Sequence, residues 1–267
     1  MAQCDVRMQA YFAFVLCTQA LSDSRLSPQD KLRYSLLLLP DTSIAGRIKQ
    51  EAMKAIRAGE YERAQALLTA AQNQISAVLL IEDGHPDVAI ANLEQTERLL
   101  GDIHTETSAK DRLQRGYNYK TYAQGFAAQG DTKREQEYLD LALKTFEQVK
   151  NDPKLDDKTT SEFAGAINGV GNIHFQRGQY RESIADYQVA TSMLPNYAYA
   201  WHDMFLAYYA MAKQGEVDLP GMRKALARMK ETRAGWPGLD TGNVARLESM
   251  LAEVEQPSRP SHRTNRR

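Results

Sequence analysis

The residues able to do chemistry are few and scattered. The five histidines are His85, His104, His174, His202 and His262, and no two stand at metal-ligand spacing. Cys4 and Cys17 have no histidine near them at the spacing a zinc site needs. Two thiols in 267 residues also make no disulfide framework, so they read as free thiols of a reduced compartment. There is no HExxH, no phosphate-cradling glycine loop and no G-x-S-x-G, and the carboxylates are spread over helix faces. The sequence therefore implies no catalytic residue, no metal, no cofactor and no small-molecule substrate. What it offers instead is recognition chemistry. Asn168 and Asn172 are four residues apart, which puts both amides on one side of a helix. Each amide can donate and accept, as the main chain of an extended peptide requires. Tyrosines such as Tyr199 and Tyr209 add apolar area with a polar tip.

The element that must position these asparagines is the stretch 164–195, AGAINGVGNIHFQRGQYRESIADYQVATSMLP. Apolar side chains recur at helical spacing over 164–176 and again over 180–193. Gly178 falls between the two runs, where a helix stop needs a residue tolerant of positive φ. Pro195 ends the second run, because proline has no N–H to donate and clashes with the preceding turn. Small residues at Gly171 and Ala190 let two antiparallel helices approach closely. The product is a helical hairpin with one apolar side, which it cannot bury alone.

Gly171, Tyr187, Ala190 and Pro195 fall where the tetratricopeptide repeat (W-x2-L-G-x2-Y, then A-x3-F, then P, over about 34 residues) has its marked positions. Ile167 replaces the tryptophan, His174 the tyrosine and Ser183 the first alanine. The stretch thus resembles that family, and the likeness extends over about 116–237 and more weakly over 43–104. Gly130 with Leu139, Ala142 and Leu143 repeats the second half of the motif, as do Tyr61, Ala64, Leu68 and Ala71. Trp201 takes the tryptophan place of the next repeat, and Phe205 stands where its glycine belongs, a bulk expected to open that hairpin. The resemblance implies an all-α, right-handed α-solenoid of about five to six antiparallel hairpins with a C-terminal capping helix at 241–254.

The organisation expected is an N-terminal degenerate hairpin over 1–42 and irregular repeat-like hairpins over 43–104. Repeats and the cap follow over 105–255, then a disordered basic tail over 256–267. The hairpins use helices over 5–20 with 28–39, 43–58 with 61–74, 108–129 with 132–150, and 197–213 with 221–233. Between 75 and 104 the register is open: either 61–82 is one long helix or a repeat is shortened. Asp83-Gly84-His85-Pro86 is a turn by composition.

In this family the first helix of each hairpin lines a concave surface, so the resemblance places Lys120, Gln124, Asn168, Asn172, Phe175, Tyr199, His202 and Tyr209 in a partner-binding groove. Some members hold a carboxylate there with lysine, arginine and asparagine. Lys120, Asn168 and Asn172 are similar to that set, whereas His202 and Leu206 stand where further bases are wanted. The function implied is a scaffold or adaptor that binds a protein or peptide, not an enzyme. The alternatives are a regulatory subunit of an enzyme and a self-assembling structural protein, the latter through the apolar runs 11–15 and 36–39.

The formal net charge of −1 argues against a nucleic-acid partner, which selects a basic face. The exception is the tail, where Arg259, Arg263, Arg266 and Arg267 stand with no acid. Residues 10–16 are apolar and precede Cys17, but the run is short for a secretory segment and Leu16 is too large for a lipoprotein cleavage site. No segment is expected to span a bilayer, and a cytoplasmic location follows as the expectation.

Overall fold

The computed structural model describes residues 52–100, 109–153, 161–234 and 241–256, with Ser27, Leu155 and Leu239. The expected hairpin over 1–42, both cysteines, residues 101–108 and the expected basic tail beyond Gln256 lie outside these residues. Among the described residues all regular structure is helical. Residues 52–57 are helical. Then follow α1 (Tyr61–Glu82), α2 (Pro86–Leu100), α3 (Ala109–Ala128), α4 (Thr132–Lys150), α5 (Ser161–Gln176), α6 (Tyr180–Met193), α7 (Ala198–Lys213), α8 (Leu219–Thr232) and α9 (Thr241–Glu255). The chain divides into two compact units, Met1–Leu141 and Ala142–Arg267, with the division inside α4.

Five helix ends close in the same way. Gly59, Gly84, Gly130, Gly178 and Gly215 all have positive φ. At Gly178 (φ 73°) the glycine N–H donates to the Phe175 carbonyl at 2.9 Å, and the Gln179 N–H donates to the His174 carbonyl at 2.9 Å. These are the paired bonds of the Schellman motif, which satisfy carbonyls that a helix end leaves orphaned. A side chain at that φ would be strained even though the space around Gly178 is open. The same bond pair recurs at the other four glycines. The chain is thus punctuated into hairpins by its backbone, and the glycines mark the places in advance.

In the first unit α1 and α2 form a hairpin and α3 lies against both. Ala77, Ala89, Ile90, Leu93, Tyr122 and Phe126 make a core there. The open register at 61–82 resolves as one helix of 22 residues. Residues 64–81 carry no charge, so α1 is long and apolar enough to cross a bilayer by length and composition. That corrects the expectation that no segment is. In the fold, however, Ala64, Leu67, Leu68, Ala70, Ala71 and Ala77 of α1 are buried.

In the second unit α5–α6 and α7–α8 are successive hairpins, and α9 packs on α7 and α8. Close approach depends on glycine here. A Cβ on Gly171 would stand 2.6 Å from the Tyr187 ring, and one on Gly169 would stand 2.6 Å from the Phe146 ring. The Trp201 indole N–H donates to the Pro195 carbonyl at 2.9 Å, so the tryptophan of α7 is fastened to the turn that precedes it. Phe205 is fully buried, and α7 and α8 still pack as a hairpin. The small residues have moved to the partner helix, where Gly221 makes room for the Tyr208 ring and Ala225 is buried. Helix α8 starts earlier than the sequence implies, because the Asp218 carboxylate caps it by accepting from the Gly221 N–H at 2.9 Å.

Candidate binding face

Lys120 and Gln124 lie in the first unit, both half-buried on α3. The Lys120 ammonium sits 5.8 Å from the centre of the Tyr117 ring. One turn earlier on that helix the Gln114 amide donates to Asn118 Oδ1 at 2.9 Å.

The other six residues lie in the second unit, on α5 and α7. Asn168 is only 2% exposed. Its Nδ2 donates to Asp203 Oδ2 at 3.0 Å, which ties the first helix of one hairpin to the first helix of the next. Its Oδ1 is buried and accepts no hydrogen bond. Asn172 turns the other way and accepts from the Tyr187 hydroxyl at 2.8 Å, inside its own hairpin. The two asparagines share a helix, but their amides are already engaged in different structural tasks. Removing them acts on stability as well as on any surface they present.

His202 stands beside Asp203, its Nδ1–H donating to Asp203 Oδ1 at 2.9 Å. On its other side the Asn243 amide of α9 lies 3.4 Å from His202 Nε2. A polar chain therefore runs Asn168, Asp203, His202, Asn243 across α5, α7 and α9. Tyr199 is half-buried one turn before Asp203, and its ring meets Tyr197 edge-on at 6.1 Å. Burial first, and the Asp203 carboxylate second, push its hydroxyl above the usual tyrosine range. Tyr209 donates to Glu253 Oε2 of α9 at 2.6 Å, and Lys213 donates to Glu253 Oε1 at 2.7 Å. Phe175 lies at the turn end of α5, its ring 5.3 Å from Tyr180.

The fold thus gathers Asn168, Tyr199 and His202 around Asp203. It ties Tyr209 to α9 and leaves Asn172 and Phe175 serving their own hairpin. Asp203 is the residue that sequence reasoning passed over, because the repeat register marks its neighbours. The signal was present: Asp203 is the sole acid in AYAWHDMFLAYYAMAK, and a carboxylate in so apolar a helix must find donors.

The face has no nucleophile paired with a base, and among the described residues no group of three or more His, Cys, Asp or Glu side chains could hold a metal. What it can do is present a partly exposed carboxylate with aromatic area beside it. Among curated proteins none matches the chain. Residues 171–211, from Gly171 of α5 through α6 to Met211 of α7, match the family model of the TPR repeat, so the chain carries a tetratricopeptide repeat over that stretch.

Proposed function

We propose that this chain is a protein-interaction module whose second unit holds a peptide or helix of a partner against α5 and α7. The observation that carries this reading is the Asn168–Asp203 bond at 3.0 Å, which holds the first helices of two successive hairpins in fixed register. Tyr199, Asp203 and Leu206 follow one another at helical i, i+4 and i+7 on that face, and Tyr199 and Leu206 are both half-buried. Such a face offers preformed apolar area around polar groups that need no rearrangement, which lowers the ordering cost of binding. Recognition is by shape and hydrogen bonding, with no chemical step. α9 packs where the first helix of a further hairpin would stand, and we read it as the cap of the array.

The test is selection from a displayed library of random peptides against the intact chain, followed by Leu206→Arg in the same chain. The expected result is a family of binders that compete with one another and lose at least tenfold in affinity on Leu206→Arg, while the thermal midpoint stays within a few degrees. No binders, or binders indifferent to Leu206, would remove this face from consideration.

A further inference from the structure

Helix α9 is held to the second unit mostly at its surface. Val244, Leu247, Leu251 and Val254 fall at i, i+3, i+7 and i+10 and make one apolar stripe along the helix. Leu247 is fully buried, whereas Val244, Leu251 and Val254 are half-buried where they pack on the core of α7 and α8. That core contains Met204, Met222 and Met229, flexible side chains that adapt to more than one apolar shape. Beside the stripe stand three ion pairs to the neighbouring helices: Glu248 with Lys230 at 2.6 Å, Glu253 with Lys213 at 2.7 Å and Glu255 with Arg223 at 2.8 Å. The Tyr209 hydroxyl adds a bond to Glu253 at 2.6 Å. Ion pairs open to solvent, as these are, give selectivity and little hold. The charges are sorted by element, since α8 carries four bases and one acid and α9 three acids and one base. Helix α9 also touches α7 and α8 more lightly than those two touch each other. Its root is firm by contrast: Leu239 is 4% exposed, and its carbonyl accepts from the Arg233 guanidinium at 3.2 Å. The helix can therefore leave its seat about a fixed point just before Thr241.

We infer that α9 is a displaceable resident, and that the surface of α7 and α8 beneath it is a docking seat for an acidic amphipathic helix of a partner protein. The resident itself shows what the seat accepts. The incoming helix carries apolar residues at i, i+3, i+7 and i+10, with carboxylates beside them to meet Lys213, Arg223 and Lys230. A tethered helix is present at its own seat at an effective concentration on the order of millimolar. A free helix enters only when its affinity exceeds that of the lightly held α9, so α9 acts as an autoinhibitory element. The seat uses Lys213, Arg223 and Lys230, none of which belongs to the α5–α7 face proposed above, so either reading can fail without the other.

The probe is a fluorescent peptide with the sequence of residues 241–255, added to the intact chain. A chain carrying Leu247→Asp, which loosens the resident helix, should bind it at least tenfold more tightly than the unaltered chain. A peptide carrying Leu247→Asp should bind neither chain. A peptide carrying Glu248→Gln, Glu253→Gln and Glu255→Gln together should bind the opened chain at least threefold more weakly than the unaltered peptide. Equal binding of the unaltered peptide to both chains, or none to the opened chain, would overturn the seat. Equal binding of the acid-free peptide would overturn the charge assigned to the partner. Amide exchange on the unaltered chain gives a second reading that needs no variant to fold. Residues 241–255 should exchange together and at least tenfold faster than α7 and α8. Exchange of α9 at the rate of α7 would show that the helix never leaves alone, and would overturn the proposal even where the Leu247→Asp chain had failed to fold.

Discussion

The ring of Tyr187 occupies the space into which a side chain on Gly171 would grow. The nearest ring carbon lies 2.6 Å from the place of that Cβ, and Tyr187 is 1% exposed. Its hydroxyl is also fastened to Asn172, so the ring has no direction in which to retreat. Gly171→Ala gains about 1 kcal/mol of helix preference but loses roughly 1–3 kcal/mol to overpacking, and the tether on Tyr187 puts the loss ahead. A lower midpoint in urea unfolding is the expected outcome. Tyr187→Leu added to Gly171→Ala should then cost less than the sum of the two changes made singly, because the clash is gone. Strict additivity would mean the two residues do not contend for one space.

The same tyrosine sets a second test. Asn172→Ala leaves a hydroxyl inside the hairpin without its acceptor, at a cost of about 1–3 kcal/mol. Tyr187→Phe in that background removes the stranded donor and should recover most of the loss. If Asn172→Ala alone is neutral in stability, Asn172 is a surface residue after all and returns to the list of direct ligand contacts.

Glu253 binds α9 to α7 through Lys213 and Tyr209. The Lys213 ammonium first, and the Tyr209 hydroxyl second, hold its carboxyl below the usual glutamate value of 4.5. A carboxylate with a depressed folded-state pKa contributes stability that is present above its ordinary value and is lost as pH falls through the folded one. Amide exchange in α9, 241–255, should therefore accelerate relative to α7 as pH drops below about 4.5. Glu253→Gln should show the faster exchange already at neutral pH. High salt should act in the same direction, because the pair is open to solvent.

Asp186 works with the opposite sign. It pairs with His174 Nδ1 at 2.6 Å between α5 and α6, yet burial outweighs that partner and raises its carboxyl above the usual 3.8. His174 and Lys150 pull it back down and Glu182 pushes it further up. A raised acid binds its proton more readily in the folded chain than in the unfolded one. That contribution is present below 3.8 and is lost as pH rises through the folded value. Measured against Asp186→Asn, the unaltered protein should lose relative stability as pH climbs from 3.8 toward neutrality. A constant difference across that range would show that the pair screens its own burial.

Much of this architecture is legible in the residues because its signals are local. Pro86 opens α2 and Gly178 closes α5, and from α2 to α9 each described element lies within a few residues of where periodicity puts it. Helix α1 is the instructive exception, since the repeat length alone left 61–82 undecided. Its charge-free run made one continuous helix the simpler solution, with no residue to stop it before Gly84. The face was read less well. Repeat register marks Asn168 as outward, but the stacking of α5 on α7 buries it, and that stacking is a pairing of residues 35 positions apart. Periodicity reports which side of a helix a residue occupies, not which neighbour will close over it. Asp203 escaped for the same reason, since its meaning lies in what Asn168 and His202 bring to it.

The five glycine turns carry a consequence for how the chain reaches this structure. Each turn joins a helix to the one directly after it and is sealed by main-chain bonds spanning three to five residues, as at Gly178. Closing such a loop costs little entropy, since the cost grows with the length of chain enclosed. Contacts of short sequence separation form early, and proteins rich in them fold in microseconds to milliseconds. Each hairpin is in this sense a self-starting nucleus. The rate at which the chain folds is then set less by any distant meeting of its ends than by how quickly one finished hairpin finds the next.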